Sequence, residues 1–171
     1  MHQSFVITLL GKDRPGLVES VASSVRENEG NWLESQMCSL GGQFAGIVHV
    51  SIPESKLQNW EDGLETLRQS GLQILLAEDQ PDSELAALKT AVFEIVGQDR
   101  PGIIRSISAQ LARHEVNVIK LSSECSSAPW SGEPLFRAQA EVQIPETCQI
   151  ENLRSDLEKI AADLMIDISF I

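Results

Sequence analysis

The feature of this sequence that most restricts its fold is an eleven-residue phrase that occurs twice. GKDRPGLVESV occupies residues 11–21 and GQDRPGIIRSI occupies residues 97–107, so the second copy begins 86 positions after the first. Further along, Phe44 and Phe136 hold matching places at an offset of 92, so about six residues were added within the segment SSAPWSGEP. A phrase that returns at the spacing of a small domain predicts a duplicated structural unit.

Both copies show the same order of hydrophobic patterns. A continuous apolar run, SFVITLL in the first copy and AVFEIVG in the second, predicts a buried strand that ends at the phrase. Apolar residues at helical spacing follow, and we expect Pro15 in the first turn of that helix. Two strands, a second amphipathic helix and a last strand complete each copy. The order predicts an α+β protein of two tandem ferredoxin-like βαββαβ units, each an antiparallel sheet with its helices on one face.

The two units are predicted to span residues 1–79 and 90–171. Residues 80–89 between them are predicted to form a linker, because Pro81 blocks continuation of the strand before it. Each unit is long enough to bury a modest core of its own. The chain is therefore expected to consist of two small domains and no third one.

Charge and motifs exclude several classes of function. The formal net charge is −12 and Lys and Arg form no cluster, so direct nucleic-acid binding is not expected. Because no long apolar run occurs, membrane insertion is not expected either. The three cysteines form no CxxC pair and no export signal is present, which favours reduced thiols in a cytoplasmic protein. Cys38 and Cys125 are expected at roughly corresponding strand positions. No catalytic motif or metal-ligand spacing occurs, so we expect no enzyme activity and no cofactor.

The repeated phrase places a turn between a strand and the start of a helix. The first N–H groups of a helix lack intrahelical partners and carry partial positive charge, so a carboxylate is favoured there. Gly16 and Gly102 lack a β-carbon and would let a ligand approach closely. The alternative interpretation is a purely structural turn, in which Asp13 and Asp99 cap the helix. The residues alone leave both interpretations open.

One asparagine opens the strand that follows the first helix of each copy, Asn31 in the first and Asn117 in the second. Because the first two strands both flank this helix, we expect the asparagine amide beside the helix tip, within reach of a bound ligand. The other interpretation is that the asparagine only tolerates the local backbone of a turn.

The strand, the D-R-P-G-[LI] turn, the helix and the asparagine that follows together resemble the ACT domain, a small regulatory βαββαβ module. The resemblance covers nearly the whole chain as two modules. ACT modules often bind amino acids where two modules meet, through the first loop, the helix tip and the residue that opens strand two. By position, the resemblance implies a ligand-binding set of Asp13, Arg14, Pro15, Gly16, Leu17 and Asn31 in the first copy, and of Asp99, Arg100, Pro101, Gly102, Ile103 and Asn117 in the second.

Two modules without a catalytic domain, together with the segment LGGQFAGIVHVSIP, are similar to ACT proteins that repress transcription. The resemblance implies a repressor-like regulator that senses a small amino acid such as glycine and acts through a protein partner, such as a transcriptional activator. It also implies pairing of modules, including in a homodimer. The alternative hypothesis is a regulatory binding module that serves an amino-acid or one-carbon metabolic enzyme.

Overall fold

The computed structural model describes residues 1–79, 88–127 and 132–171. The chain divides into two compact units, Met1–Pro81 and Asp82–Ile171, and each has its own hydrophobic core. Most of the predicted linker 80–89 and the centre of the predicted insertion lie outside the described residues. Because each unit has a separate core, each is described by itself.

The first unit has the predicted order of elements. Its four strands form one antiparallel sheet in the order β2-β3-β1-β4, so β1 and β3 are central and β2 lies at an edge. The elements are β1 (His2–Lys12), α1 (Leu17–Glu27), β2 (Asn31–Leu40), β3 (Gln43–Pro53), a short 3₁₀ helix (Glu54–Lys56), α2 (Leu57–Gln69) and β4 (Gln73–Glu78).

The second unit repeats this architecture with the sheet order β6-β7-β5-β8, again antiparallel throughout. The predicted fold class, two tandem ferredoxin-like βαββαβ units, is confirmed. The elements are β5 (Lys89–Gln98), α3 (Ile103–Arg113), β6 (Asn117–Ser127), β7 (Pro134–Ile144), α4 (Ile150–Leu164) and β8 (Ile166–Phe170).

Alternation along the central strands sends one set of side chains toward the helices. In β3, Phe44, Val48 and Val50 are buried, and α2 covers them with the fully buried side chains of Trp60 and Leu64. Each large apolar side chain that leaves water contributes about 1.5–3 kcal/mol, so this face holds the helices on the sheet. The corresponding core of the second unit includes Phe93, Ile95, Val142, Leu153 and Leu157.

Strands β2 and β6 are edge strands in the two described sheets, and each contains an irregularity near its start. The pairing register shifts between Trp32 and Glu34 in β2 and between Val118 and Lys120 in β6, as expected for a β-bulge. Every residue of β6 is exposed. The outer edge of each strand therefore offers backbone N–H and C=O groups for pairing with another chain.

Candidate functional site

The turn of the repeated phrase has the same backbone in both units. Gly16 is the N-cap of α1 with φ 91° and ψ −4°, and Gly102 is the N-cap of α3 with φ 97° and ψ −2°. This left-handed conformation is one that L-residues with a side chain rarely adopt, which explains glycine at both places. Pro15 lies in the turn before the helix, so its predicted place in the first helical turn is wrong: α1 begins at Leu17.

Neither helix is capped by a side chain of the described residues. The first main-chain hydrogen bond of each helix is the one that the N-cap glycine accepts: the Ser20 N–H donates to the Gly16 oxygen at 2.9 Å, and the Ser106 N–H donates to the Gly102 oxygen at 2.9 Å. A β-carbon built on either glycine would meet no described heavy atom within 4 Å, so the space beside the turn is open. The start of each helix thus presents main-chain N–H groups toward an accessible surface.

The aspartate of the phrase does not cap the helix. Instead, the Asp13 N–H donates to the Gly42 oxygen at 3.0 Å, and its carboxylate accepts a hydrogen bond from the Ser39 hydroxyl, with 2.5 Å between Oγ and Oδ2. Both partners belong to the hairpin formed by β2 and β3. The predicted cap is therefore wrong, because the glycine that follows occupies the cap position and leaves the aspartate beside the hairpin.

The second unit holds its aspartate in the same place with a different donor. The Asp99 N–H donates to the Pro134 oxygen at 3.0 Å, at the start of β7. The Asp99 carboxylate accepts a hydrogen bond from the Cys125 thiol. Partial desolvation, then the negative charge of Asp99 and then this hydrogen bond raise the pKa of the Cys125 thiol above its usual value.

The two arginines of the phrase reach toward the end of the second helix of their own unit. Arg14 Nη2 donates to Ser70 Oγ at 3.3 Å, and Ser70 is the C-cap of α2. Arg100 Nη2 donates to Gln98 Oε1 at 3.0 Å and lies 3.9 Å from the sulfur of Met165, the C-cap of α4. A cation is favourable at a helix C-terminus, so these contacts give the arginines a structural role.

The two asparagines lie at the far end of the sheet from the turn. Asn31 pairs with Ser51, which pairs with Ser4 on β1, whereas the turn follows Lys12 at the other end of that strand. The separation is eight residues of strand, or roughly 26 Å. The expectation that the asparagine lies beside the helix tip is therefore wrong within one unit, because β2 runs parallel to β1 and only its last residues approach the turn.

Asn117 occupies the matching place in the second unit. It pairs with Gln143, which pairs with Thr90 near the start of β5, while the turn follows Gln98 at the end of that strand. Its Nδ2 donates to the Gln143 side-chain oxygen at 3.5 Å. The structure thus brings residues 13–17 together, and residues 99–103 together, but it leaves each asparagine apart from its own turn.

Two residues that contact the turn were missed from the sequence. The register aligns Cys125 with Ser39, because these residues lie opposite Phe136 and Phe44 respectively. Cys38 lies one residue before Ser39, so the expectation that Cys38 and Cys125 lie at roughly corresponding positions is met to within one residue. The constant offset of 86 between the units up to this strand was the signal that would have matched Ser39 to Cys125.

Other titratable contacts lie away from the turn. His114 Nε2 is 3.1 Å from Asp156 Oδ2, and the Lys159 ammonium is 2.9 Å from Asp156 Oδ1. Hydrogen bonds from Lys159 and then from His114 lower the pKa of Asp156.

In the part of the chain that the structure describes, no helix is long and apolar enough to cross a membrane, and no group of three or more His, Cys, Asp or Glu side chains could hold a metal ion.

Comparisons with known proteins agree with this architecture. Residues 3–76 match the ACT domain. The glycine cleavage system transcriptional repressor of Escherichia coli is 23% identical over 163 residues, which cover 93% of this chain and 84% of that protein. A UPF0237 protein of Methanopyrus kandleri is 32% identical over 79 residues, which cover 46% of this chain and 81% of that protein.

A solved structure extends the agreement to the whole chain. The crystal structure of an unknown protein from Galdieria sulphuraria matches with a TM-score of 0.88 and 28% identity, and the match covers 99% of this chain and 98% of that one. The resemblance inferred from the D-R-P-G turn is confirmed by the ACT domain match over residues 3–76. The first unit is an ACT domain at residues 3–76, and the second unit repeats its fold.

Proposed function

We propose that this protein is a regulator without catalytic activity, whose ACT modules bind a small amino acid and whose effect passes through a protein partner. The observation that carries the proposal is the duplicated turn. In both units a left-handed glycine opens a helix that no described side chain caps, beside open space. The left-handed glycine and the open space beside it give each unit one position where main-chain N–H groups can receive an anion.

The chemistry of the turn suits the carboxylate of an amino acid. The main-chain N–H groups of Gly16 and Leu17, or of Gly102 and Ile103, would donate to the carboxylate oxygens, and the helix dipole adds to that attraction. Asp13 and Asp99 are engaged with the neighbouring hairpin and do not compete for these donors. Within the ligand-binding set that the family resemblance implies, we assign two roles. The two glycines and the residue after each bind the carboxylate, and the two aspartates position the turn.

We propose that the asparagine of the second site comes from a second copy of the chain. When two identical edge strands pair antiparallel about a twofold axis, the start of one lies beside the end of the other. If Asn117 in β6 lies opposite Ser127 of a second copy, Lys120 lies opposite Glu124 of that copy. The twofold axis generates the same Lys120–Glu124 pair a second time with the copies exchanged. These charges lie on the same face of the strand, since their partners Glu141 and Arg137 on β7 share one face. Charge complementarity therefore favours β6 as the dimer edge and brings Asn117 toward a turn.

A charge swap tests this dimer. We expect Lys120→Glu to oppose two carboxylates and to convert dimer to monomer, as measured by sedimentation at several protein concentrations. The double variant Lys120→Glu/Glu124→Lys should restore the dimer, because the pair is re-formed with its signs reversed. A double variant as monomeric as the single variant would contradict the proposed register.

The regulatory half of the proposal is supported by the relative that covers most of this chain, a transcriptional repressor of the glycine cleavage system. A net charge of −12 disfavours direct contact with nucleic acid, so we propose that the protein acts on transcription through a protein such as an activator. Glycine is then the first small amino acid to test. Affinity capture from extract of cells that encode this chain should recover a regulator of transcription, and recovery of a metabolic enzyme instead would favour the alternative hypothesis.

Thermal denaturation in the presence of each of the twenty amino acids tests the binding half. A ligand of the folded state at about 100 times its Kd stabilises that state by about 2.7 kcal/mol, which is a clear rise in Tm. We expect at least one small amino acid to raise the Tm, and we expect Asn117→Ala to reduce that rise while the control Asn59→Ala leaves it unchanged. If no amino acid shifts the Tm of the unaltered protein, amino-acid sensing is wrong.

A further inference from the structure

The aspartate of the repeated phrase is held by a side chain of the second strand of its unit, and the two units use different donors. Ser39 and Cys125 lie at the same register position, opposite Phe44 and Phe136. Each donates to the carboxylate of the aspartate that precedes the turn. We call each pair, Ser39 with Asp13 and Cys125 with Asp99, a clasp.

The two clasps differ in strength because their donors differ. The distance of 2.5 Å between Ser39 Oγ and Asp13 Oδ2 is typical of a charge-assisted O–H···O⁻ bond, which is about twice as strong as a neutral one. A thiol is a weak donor, so Cys125 at the matching register position holds Asp99 less firmly. The Cys125 thiol and the Ser39 hydroxyl both lie at exposed strand ends. The difference in hydrogen-bond strength therefore occurs at the surface, beside the turn.

We propose that Ser39 and Cys125 are positioning residues of the amino-acid site, an inference that rests on the function proposed above. Asp13 and Asp99 are joined to the hairpin through their own N–H groups as well as through the clasp, so the clasp orients the segment that leads into Gly16 or Gly102. Rigid orientation of that segment keeps the helix N–H groups aimed at a carboxylate and reduces the entropy lost on binding. Strengthening or breaking a clasp therefore changes the affinity of the site in its own unit.

The first experiment measures the clasps without any ligand. In a Cys38→Ser/Cys148→Ser background, Cys125 is the one remaining thiol of the three in the chain, and its alkylation by iodoacetamide is followed as a function of pH. We expect Asp99→Asn to shift the profile to lower pH and to speed alkylation at pH 8 by about threefold or more, because the nearby carboxylate opposes the thiolate. The control Asp167→Asn removes an exposed carboxylate elsewhere in the unit and should not shift the profile. Identical profiles for Asp99→Asn and the unaltered background would overturn the second clasp.

Amide hydrogen exchange tests the first clasp in the same way. Ser39→Ala should raise the exchange rate of the Asp13 N–H by about tenfold, since a lost charge-assisted bond is worth about a factor of ten in local opening. Ser35→Ala, an exposed serine on the same strand and the same face, is the matched control and should leave that rate unchanged. An unchanged exchange rate in Ser39→Ala would overturn the first clasp.

The second experiment uses glycine as the probe and asks whether the clasps matter for binding. By calorimetric titration we expect Ser39→Ala to raise the Kd of the first site by about tenfold, Ser39→Cys to recover part of the loss, and Cys125→Ser to lower the Kd of the second site. Recovery by a weaker donor distinguishes positioning from a general loss of stability, which the Tm of each variant reports separately. Normal glycine binding by Ser39→Ala would overturn the positioning role. A failure of the unaltered protein to bind glycine would count against glycine as the ligand, while exchange and alkylation still decide the clasps.

Discussion

The two units share one backbone, but they differ on the sheet face that the helices leave open. A row across this face in the first unit contains Ile47, Thr8 and Leu75, and the two aliphatic side chains are 54% and 72% exposed. The matching row of the second unit is polar, with a charged residue at its centre. It contains Gln139, Glu94 and Ser169.

The fold depends on the sheet face that packs against the helices and not on the open face. Successive strand residues point to opposite faces, so the residues that face the helices alternate with those on the open face. The helix-facing positions are apolar in both units, as Ile7 and Phe93 illustrate, while the open face varies freely. The two units therefore present different surfaces on one framework, and we expect them to make different contacts with a partner.

Removing a core side chain from each unit should have the largest effect, and it tests whether the frameworks are equivalent. Trp60 and Leu153 are fully buried residues of α2 and α4. We expect Trp60→Ala to lower the free energy of unfolding of the first unit by about 3–5 kcal/mol and Leu153→Ala to lower that of the second by about 2–5 kcal/mol. Urea denaturation followed by circular dichroism measures both. A loss below about 1 kcal/mol in either variant would mean that its unit is not packed as described.

The two N-cap glycines should respond alike, since their backbones are alike. Gly16→Ala and Gly102→Ala each force a β-carbon into a left-handed conformation, so each should cost about 1–2 kcal/mol of unfolding free energy without a steric clash. Gly63→Ala is the matched control within α2, where an added methyl meets only Ser24 Oγ at 3.4 Å. There alanine should stabilise by about 0.5–1 kcal/mol. If alanine changed the free energy of unfolding in the same direction at all three positions, the assigned N-cap geometry would be contradicted.

Exchanging residues between the open faces should change stability very little. We expect Ile47→Gln and Gln139→Ile each to alter the free energy of unfolding by no more than about 0.5 kcal/mol, because both side chains are exposed. Partner capture measured on the same variants then shows which face a partner contacts. A large loss of stability in Ile47→Gln would show that the open face of the first unit is part of a core.

The smallest effect concerns Asp156, whose contacts with Lys159 and His114 have no counterpart in the first unit, where Gly63 approaches Ser24. Because these contacts lower its pKa below the usual 3.8, the ionised carboxylate stabilises the folded state above that pH. The gain is lost as the pH falls through the folded pKa. Asp156→Asn should therefore be less stable than the unaltered protein at pH 6, and the gap should close in strong acid. Asp163→Asn on the same helix is the control. A difference in stability between Asp156→Asn and the unaltered protein that did not change with pH would contradict the stabilising role of the ionised Asp156.

The sequence predicted the elements well because each depends on local pattern. Strand and helix periods, repeated at a constant offset, identified both βαββαβ units, and D-R-P-G located the turn. The cap was missed because the left-handed backbone of Gly16 is not visible in composition. Glycine permits that conformation but does not reveal it.

The remaining errors concern residues that are distant along the chain. Ser39 lies 26 positions from Asp13, so no local pattern relates them, and only the register of β2 on β3 brings them together. Asn31 was placed beside the helix tip because neighbours along the chain were taken as neighbours in space. The order β2-β3-β1-β4 separates strands one and two and leaves the start of β2 far from the turn.

Binding of an amino acid to the main-chain N–H groups of the repeated turn can be observed by nuclear magnetic resonance. The ¹⁵N-labelled protein is titrated with the amino acid that gives the largest rise in Tm. We expect the largest shifts at the amides of Gly16 and Leu17, of Gly102 and Ile103, or of both pairs, with saturation at the Kd measured by calorimetry. Saturating shifts confined to other residues, with these four amides unchanged, would contradict binding at the turn.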